Sequence, residues 1–149
     1  MAKIIIAFAS MSGNTEEIAD LLKESMGPFN HQIDMMEIEH MEVEDLLPYD
    51  GILIGSYTWG DGDLPYETED FYEDLLTLDL TGKRAAVFGS GDRAYPKFCA
   101  AVDLFEDRLK ECNADIIQNG LKVEFTPDTP AEIDRCVDFV VSFASQIEV

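Results

Sequence analysis

Three short apolar runs divide the chain: Ile4-Ile5-Ile6-Ala7-Phe8-Ala9, Gly51-Ile52-Leu53-Ile54-Gly55 and Ala85-Ala86-Val87-Phe88-Gly89. Each is apolar at nearly every position, is too short for a helix and gives way to Gly or Ser, the pattern of a parallel strand buried on both faces. Two weaker strands are predicted. Gln32 to Ile38 mixes polar and apolar positions as a sheet edge does, and Leu121, Val123 and Phe125 alternate with polar residues. Between the strands lie stripes of helical period: Ile18, Leu21, Leu22; then Phe71, Leu75, Leu78; then Phe98, Val102, Phe105, Leu109, Cys112. A fourth helix is marked by Thr129-Pro130-Ala131-Glu132, a capping box with Pro at the first helical position, followed by Ile133, Val137, Val140, Val141 and Ala144. Strands alternating with helices over 149 residues predict one α/β domain, 1–149, with right-handed crossovers and a doubly wound sheet of five parallel strands. In such sheets a ligand sits outside the carboxyl ends of the strands, where strand order reverses.

Charge narrows the partners. The formal net charge is −21, and between Lys23 and Lys83 there is no Lys or Arg but sixteen Asp or Glu. That field repels phosphate backbones and anionic lipid, so neither nucleic acid nor a membrane surface is expected, whereas a basic protein would be attracted. The apolar run near the amino terminus is only six residues long, too short for a signal-peptide core or a bilayer span, and a cytoplasmic protein is expected. Cys99, Cys112 and Cys136 lack CxxC or Cys/His spacing and read as reduced thiols without a metal. His31 and His40 lie outside the loops at the ligand edge and read as solvated surface residues.

Three loops fall at the predicted ligand edge. After the first strand, Ser10-Met11-Ser12-Gly13-Asn14-Thr15 leads into a helix, so hydroxyls, an amide and free N–H groups meet at a helix amino terminus that favours an anion. No lysine is present, and neither the Walker spacing nor Gly-x-Gly-x-x-Gly occurs, which disfavours a nucleoside triphosphate and a dinucleotide. Helix capping by Ser12 or Asn14 would explain the same residues. After the third strand, Ser56-Tyr57-Thr58-Trp59-Gly60-Asp61-Gly62 places the only Trp of the chain in a polar loop with two glycines. Its flat face suits an aromatic ligand. After the fourth, Gly89-Ser90-Gly91-Asp92 runs through Tyr95 to Lys97-Phe98-Cys99 and leaves a second aromatic residue in a polar turn.

These three segments, in this order and spacing, resemble the flavodoxin family along the whole chain. The resemblance implies a flavodoxin-like fold with strand order 2-1-3-4-5, one bound flavin mononucleotide (FMN), and a low-potential carrier passing one electron at a time between a reductase and acceptor enzymes. It further implies that Ser10, Ser12, Asn14 and Thr15 hold the phosphate, that Trp59 covers the inner ring face and Tyr95 the outer, and that backbone around Asp92, Lys97 and Cys99 meets the pyrimidine edge. The Gly60 carbonyl would turn toward flavin N5 when the semiquinone forms. The expected cofactor site comprises Ser10, Met11, Ser12, Gly13, Asn14 and Thr15; Ser56, Tyr57, Thr58, Trp59, Gly60, Asp61 and Gly62; and Ser90, Gly91, Asp92, Tyr95, Lys97, Phe98 and Cys99. Tyr57 departs from the small hydroxyl residue frequent there. The interval from Asp115 to Pro127 has no room for the long-chain insertion, which implies the short-chain class. Expected partners are a basic-surfaced flavodoxin reductase and redox acceptor proteins, met by a monomer with no catalytic residues of its own. Two other readings stay open: a flavin-dependent NAD(P)H:quinone oxidoreductase of the same fold, and a flavoprotein dedicated to activating one enzyme. A receiver module is disfavoured, because no acidic residue follows the first strand.

Overall fold

The computed structural model describes residues 2–147. Its strands and helices are β1 (Lys3–Ala9), α1 (Asn14–Ser25), β2 (Gln32–Glu37), β3 (Gly51–Tyr57), α2 (Glu69–Asp74), β4 (Arg84–Gly91), α3 (Ala100–Glu111), β5 (Asp115–Ile116), β6 (Leu121–Glu124) and α4 (Pro130–Ser145), joined by short 3-10 turns. All pairings are parallel, in the order β2-β1-β3-β4-β5, with β6 also on β4. The fifth strand position is thus filled twice. Asp115 and Ile116 pair with Arg84 and Ala85, and Leu121 to Glu124 pair with Phe88 to Gly91. The expected five-strand order holds, with the last strand broken at residues 117–120.

The three apolar runs are buried on both sides because alternate side chains enter different cores. Ile5, Ala7, Ile52, Ile54, Ala85 and Val87 pack with Phe71 and Leu75 near α2 and with Val102, Phe105 and Leu109 of α3. Ile4, Ile6, Phe8, Leu53, Ala86 and Phe88 pack with Ile18 and Leu22 of α1 and with Cys136, Phe139, Val140 and Phe143 of α4. Both layers hold the sheet rigid beneath its carboxyl edge.

Four expectations are corrected here. The helix through Phe71, Leu75 and Leu78 is only six residues long and passes into a 3-10 turn at Leu75–Thr77. Glu69/Glu73 and Asp70/Asp74 repel at i,i+4, and the helix carries no basic residue in its own last turn, its carboxyl end being met only from α3, where Arg108 Nη1 donates to Tyr72 O at 2.6 Å. Helix α4 is capped by the Thr129 hydroxyl, which accepts from Glu132 N, but the Glu132 carboxylate accepts instead from Arg135 Nη1 at 2.6 Å. Its buried face is Cys136, Phe139, Val140, Phe143 and Ala144, whereas Ile133 is exposed and Val137 and Val141 are half-buried. The two phenylalanines bring more apolar surface than the valine stripe and set the helix rotation. His31 is half-buried: its Nδ1 accepts from Ala2 N and its Nε2 donates to Ala144 O, both at 3.2 Å.

The fourth correction concerns Phe125. Alternation puts it in the core beside Leu121 and Val123, which are buried, but Phe125 is 50 % exposed. The strand stops at Glu124, and φ 56 at Phe125 swings the ring out. A bulky residue in the left-handed region costs on the order of 1–3 kcal/mol.

The amino edge of the sheet closes its own polar groups. Lys3 N donates to Asp50 Oδ2 at 2.9 Å and Asp50 N returns a bond to Lys3 O at 2.8 Å. Lys83 Nζ donates to the carbonyls of Leu47 and Tyr49, each at 2.6 Å, and Arg84 donates to the Gln146 carbonyl. The Tyr49 hydroxyl donates to Asp34 at 2.6 Å; burial first, then that carboxylate, pushes its pKa up to about 12.

Candidate functional site

The carboxyl edge is built differently. Gly13 stands at the amino cap of α1 with φ 90, a conformation that suits Gly, and no side chain caps the helix. The alternative of ordinary capping by Ser12 or Asn14 therefore fails. The first N–H groups of α1, at Asn14, Thr15 and Glu16, have no intrahelical partners and open toward the loop. Ser10 Oγ accepts from Gly13 N at 3.1 Å, which leaves the hydroxyl proton to donate outward. Thr15 is buried, and its hydroxyl lies 2.8 Å from that of Ser90, so the first and third loops are fastened together with one of the two protons to spare.

In the second loop Ser56 is fully buried and donates to its neighbour's carbonyl, Tyr57 O. Thr58 Oγ1 accepts from Ala101 N at 3.0 Å, serving the amino end of α3 and again keeping its proton free. Trp59 and Asp63 exchange two backbone bonds of 2.8 Å across a tight turn. Inside that turn Gly60 sits at φ 54, with only Asp63 Oδ2 at 3.8 Å near the place a Cβ would occupy. The aliphatic stem of Lys97 lies over Gly62 and fixes the second loop to the third. Asp61 is exposed.

In the third loop Asp92 Oδ1 accepts from Ala94 N at 2.8 Å and Asp92 O from Tyr95 N at 3.1 Å, which presents Tyr95 half-exposed at the tip. The Arg93 guanidinium rests 4.3 Å over the half-buried Phe98 ring. Cys99 is buried at φ 54 and packs against Gly91; burial pushes its thiol up to about 11, which favours the protonated form at neutral pH.

These loops converge on one cleft of about 190 Å³, lined by Met11, Ser12 and Asn14 from the first, Tyr57 and Thr58 from the second, and Ser90, Gly91, Asp92 and Tyr95 from the third. Trp59, 53 % exposed, borders a neighbouring cleft with Gly62, Leu64, Tyr66 and Leu104, so the structure does not bring it together with Tyr95 in one cleft. Two residues in this region, Phe125 and Glu124, escaped sequence reasoning. Phe125 lines the cleft, hidden by its place in a strand-like alternation. Glu67 accepts from the Tyr57 hydroxyl at 2.7 Å, and burial first, then that bond, raises the Tyr57 pKa. Glu124 accepts from Arg93 N at 3.1 Å. Glu124 looked like ordinary surface charge.

The chemistry of the donors fits a phosphate ester carrying a planar ring. Hydroxyl protons and uncapped N–H groups offer hydrogen bonds to an anion; Asp92 is the one carboxylate among the residues lining the cleft, while Ser10 borders a separate small hollow with Glu37, Glu39 and Glu67. The larger hollow nearby, about 400 Å³, is lined by Glu39, Glu42, Glu67, Asp70 and Asp74 and repels phosphate.

Comparison with known proteins agrees. The family model described as Flavodoxin matches residues 6–139. "Probable flavodoxin 1" of Bacillus subtilis (strain 168) is 49 % identical over 143 residues, covering 96 % of this chain and 90 % of the relative. Oxidised Flavodoxin 2 from Bacillus cereus superposes with a TM-score of 0.96 at 55 % identity, over 98 % of this chain and 100 % of that one. A short-chain flavodoxin associated with a non-canonical PDU bacterial microcompartment gives 0.94 at 32 % identity, over 99 % and 100 %. A chain with this strand order that matches the family model from residue 6 to 139 and is so similar to these proteins along its length belongs to the flavodoxin family, consistent with the short-chain class, and is an FMN-binding electron carrier.

Proposed function

We propose that FMN occupies the cleft between the three loops, and that the protein passes one electron at a time from a basic-surfaced reductase to acceptor enzymes. The observation that carries the placement is the meeting of an uncapped helix amino terminus, Thr15 hydrogen-bonded to Ser90, and the half-exposed Tyr95 around one cleft.

FMN supplies the redox-active ring when bound, and the protein supplies binding, orientation and electrostatics. Ser10, Ser12, Asn14, Thr15 and the N–H groups of residues 14–16 hold the phosphate by charge-assisted hydrogen bonds with no cation. Trp59 and Tyr95 shield the ring faces from water, and backbone around Asp92, Lys97 and Cys99 meets the pyrimidine edge. The turn at Gly60 leaves room for the Gly60–Asp61 peptide to rotate, and its carbonyl would then supply a hydrogen-bond acceptor to the bound ring. Asp61, Asp63 and Asp92 oppose added negative charge and hold the potential low. The same acidity draws a basic partner and repels nucleic acid. No helix among the described residues is long and apolar enough to cross a membrane.

The test is a potentiometric titration of the FMN-reconstituted protein, with an NAD(P)H oxidation assay beside it. Two separate one-electron steps and negligible oxidation without a reductase are expected. A single two-electron step with steady unaided turnover would contradict the carrier and favour a quinone-reducing enzyme.

A further inference from the structure

Among the described residues, three other than glycine adopt positive φ: Asn113 at 70, Phe125 at 56 and Cys99 at 54. Asn113 follows the carboxyl end of α3, where Asn commonly takes the left-handed conformation. The other two meet at Gly91. A Cβ on Gly91 would stand 3.1 Å from Cys99 N, and Phe125 N donates to Gly91 O at 2.9 Å. Gly91 itself lines the cleft. A phenylalanine has no local hydrogen bond to offer in exchange for a left-handed backbone, as Asn or Asp has, so the surrounding structure imposes this conformation. Such outliers gather at ligand sites.

The consequence is specific. One residue of ordinary extended backbone would continue the alternation of Leu121 and Val123 and send Phe125 into the core; the observed φ turns the ring onto the cleft that Tyr95 and Met11 border. Met11, Tyr95 and Phe125 are 63 %, 52 % and 50 % exposed, an apolar rim in a chain of net charge −21. Loss of buried surface and a strained backbone at the same residue are two costs that packing does not return.

We infer that Phe125 is a further cofactor-contacting residue, an apolar wall of the cleft that packs on the flavin ring system beside Tyr95. This rests on the placement of FMN proposed above. The wall belongs to the ring end of the ligand, so it acts on FMN and riboflavin alike, in contrast to the cradle.

The experiment compares wild type, Phe125→Gly, Phe125→Leu and Tyr95→Ala, each stripped of flavin and titrated with FMN and with riboflavin by fluorescence quenching, with the thermal midpoint of every apoprotein recorded. Glycine keeps the Phe125 N–H bond and relieves the backbone, so the apoprotein midpoint should stay level or rise. Affinity for both flavins should nevertheless fall roughly tenfold, near the upper end for an aromatic contact. Leucine should recover part of that loss while lowering the midpoint relative to glycine. Flavin affinities within twofold of wild type for Phe125→Gly, with Tyr95→Ala clearly weakened, would overturn the role of Phe125 and leave the FMN site standing. Unchanged affinities in both Phe125→Gly and Tyr95→Ala would overturn the placement of FMN and this inference together.

Discussion

The two edges of the sheet treat their polar groups in opposite ways. At the amino edge Lys3, Asp50, Lys83, Arg84, Tyr49 and His31 are each paired with backbone or with a neighbouring side chain. At the carboxyl edge a helix amino terminus is left uncapped, hydroxyls keep protons to donate, large apolar side chains stand half-exposed and two non-glycine residues hold left-handed backbone. The strands between them are the same strands. Stability is therefore concentrated in the layers and at the closed edge, while the open edge holds unspent hydrogen-bonding capacity for a ligand, as a binding site on a rigid scaffold requires.

The sharpest way to break this division is to damage the closed end. Phe143, fully buried, lies beneath Gly51 at the start of β3, and Phe143→Ala should cost about 3–5 kcal/mol of apoprotein stability in a denaturant titration. FMN affinity, measured where the variant is still folded, should not change. At the open edge the order reverses. Thr15→Val should weaken FMN by about 1.5–3 kcal/mol and riboflavin far less, as calorimetric titration with both ligands would report. Equal weakening would place the phosphate elsewhere. Next in size, Gly60→Val strains the turn by about 1–2 kcal/mol and hinders its peptide, so the first one-electron potential should fall by roughly 40–90 mV. An unchanged first potential would remove Gly60 from the redox chemistry. The smallest effect is electrostatic: at roughly 8–12 Å each of Asp61, Asp63 and Asp92 should lower the second one-electron potential by about 10–40 mV. The triple Asn variant should raise it, less so in high salt, and a second potential that stays fixed at both ionic strengths would refute the contribution of acidity.

The legible parts of the molecule were those with one physical cause. β1, β3 and β4 are buried on both faces, so composition alone marks them, and the Ser10–Thr15 loop is fixed by its place between a buried strand and a helix. What failed depended on competition. The face of α4 was decided by Phe139 and Phe143 against a valine stripe, and the length of α2 by like charges against an apolar period. His31 accepts from Ala2 N and donates to Ala144 O, partners distant in sequence and invisible to periodicity. Phe125 kept the alternation of a strand and broke it in the backbone, which no pattern of residue types records. Within the site the loops were legible and the separate settings of Trp59 and Tyr95 were not, because the Trp59–Asp63 bridge is set by backbone geometry.

The division of the molecule is tested most directly by following backbone amide resonances while apoprotein is titrated with FMN. The amides of residues 10–16, 57–62, 90–95, 97–99 and Phe125 should shift strongly and saturate at one equivalent, while Ala2, Lys3, Asp50, Arg84 and Asp115 at the amino edge stay in place. Saturable shifts centred on the amino edge, or a cradle at residues 10–16 that does not respond, would contradict the account.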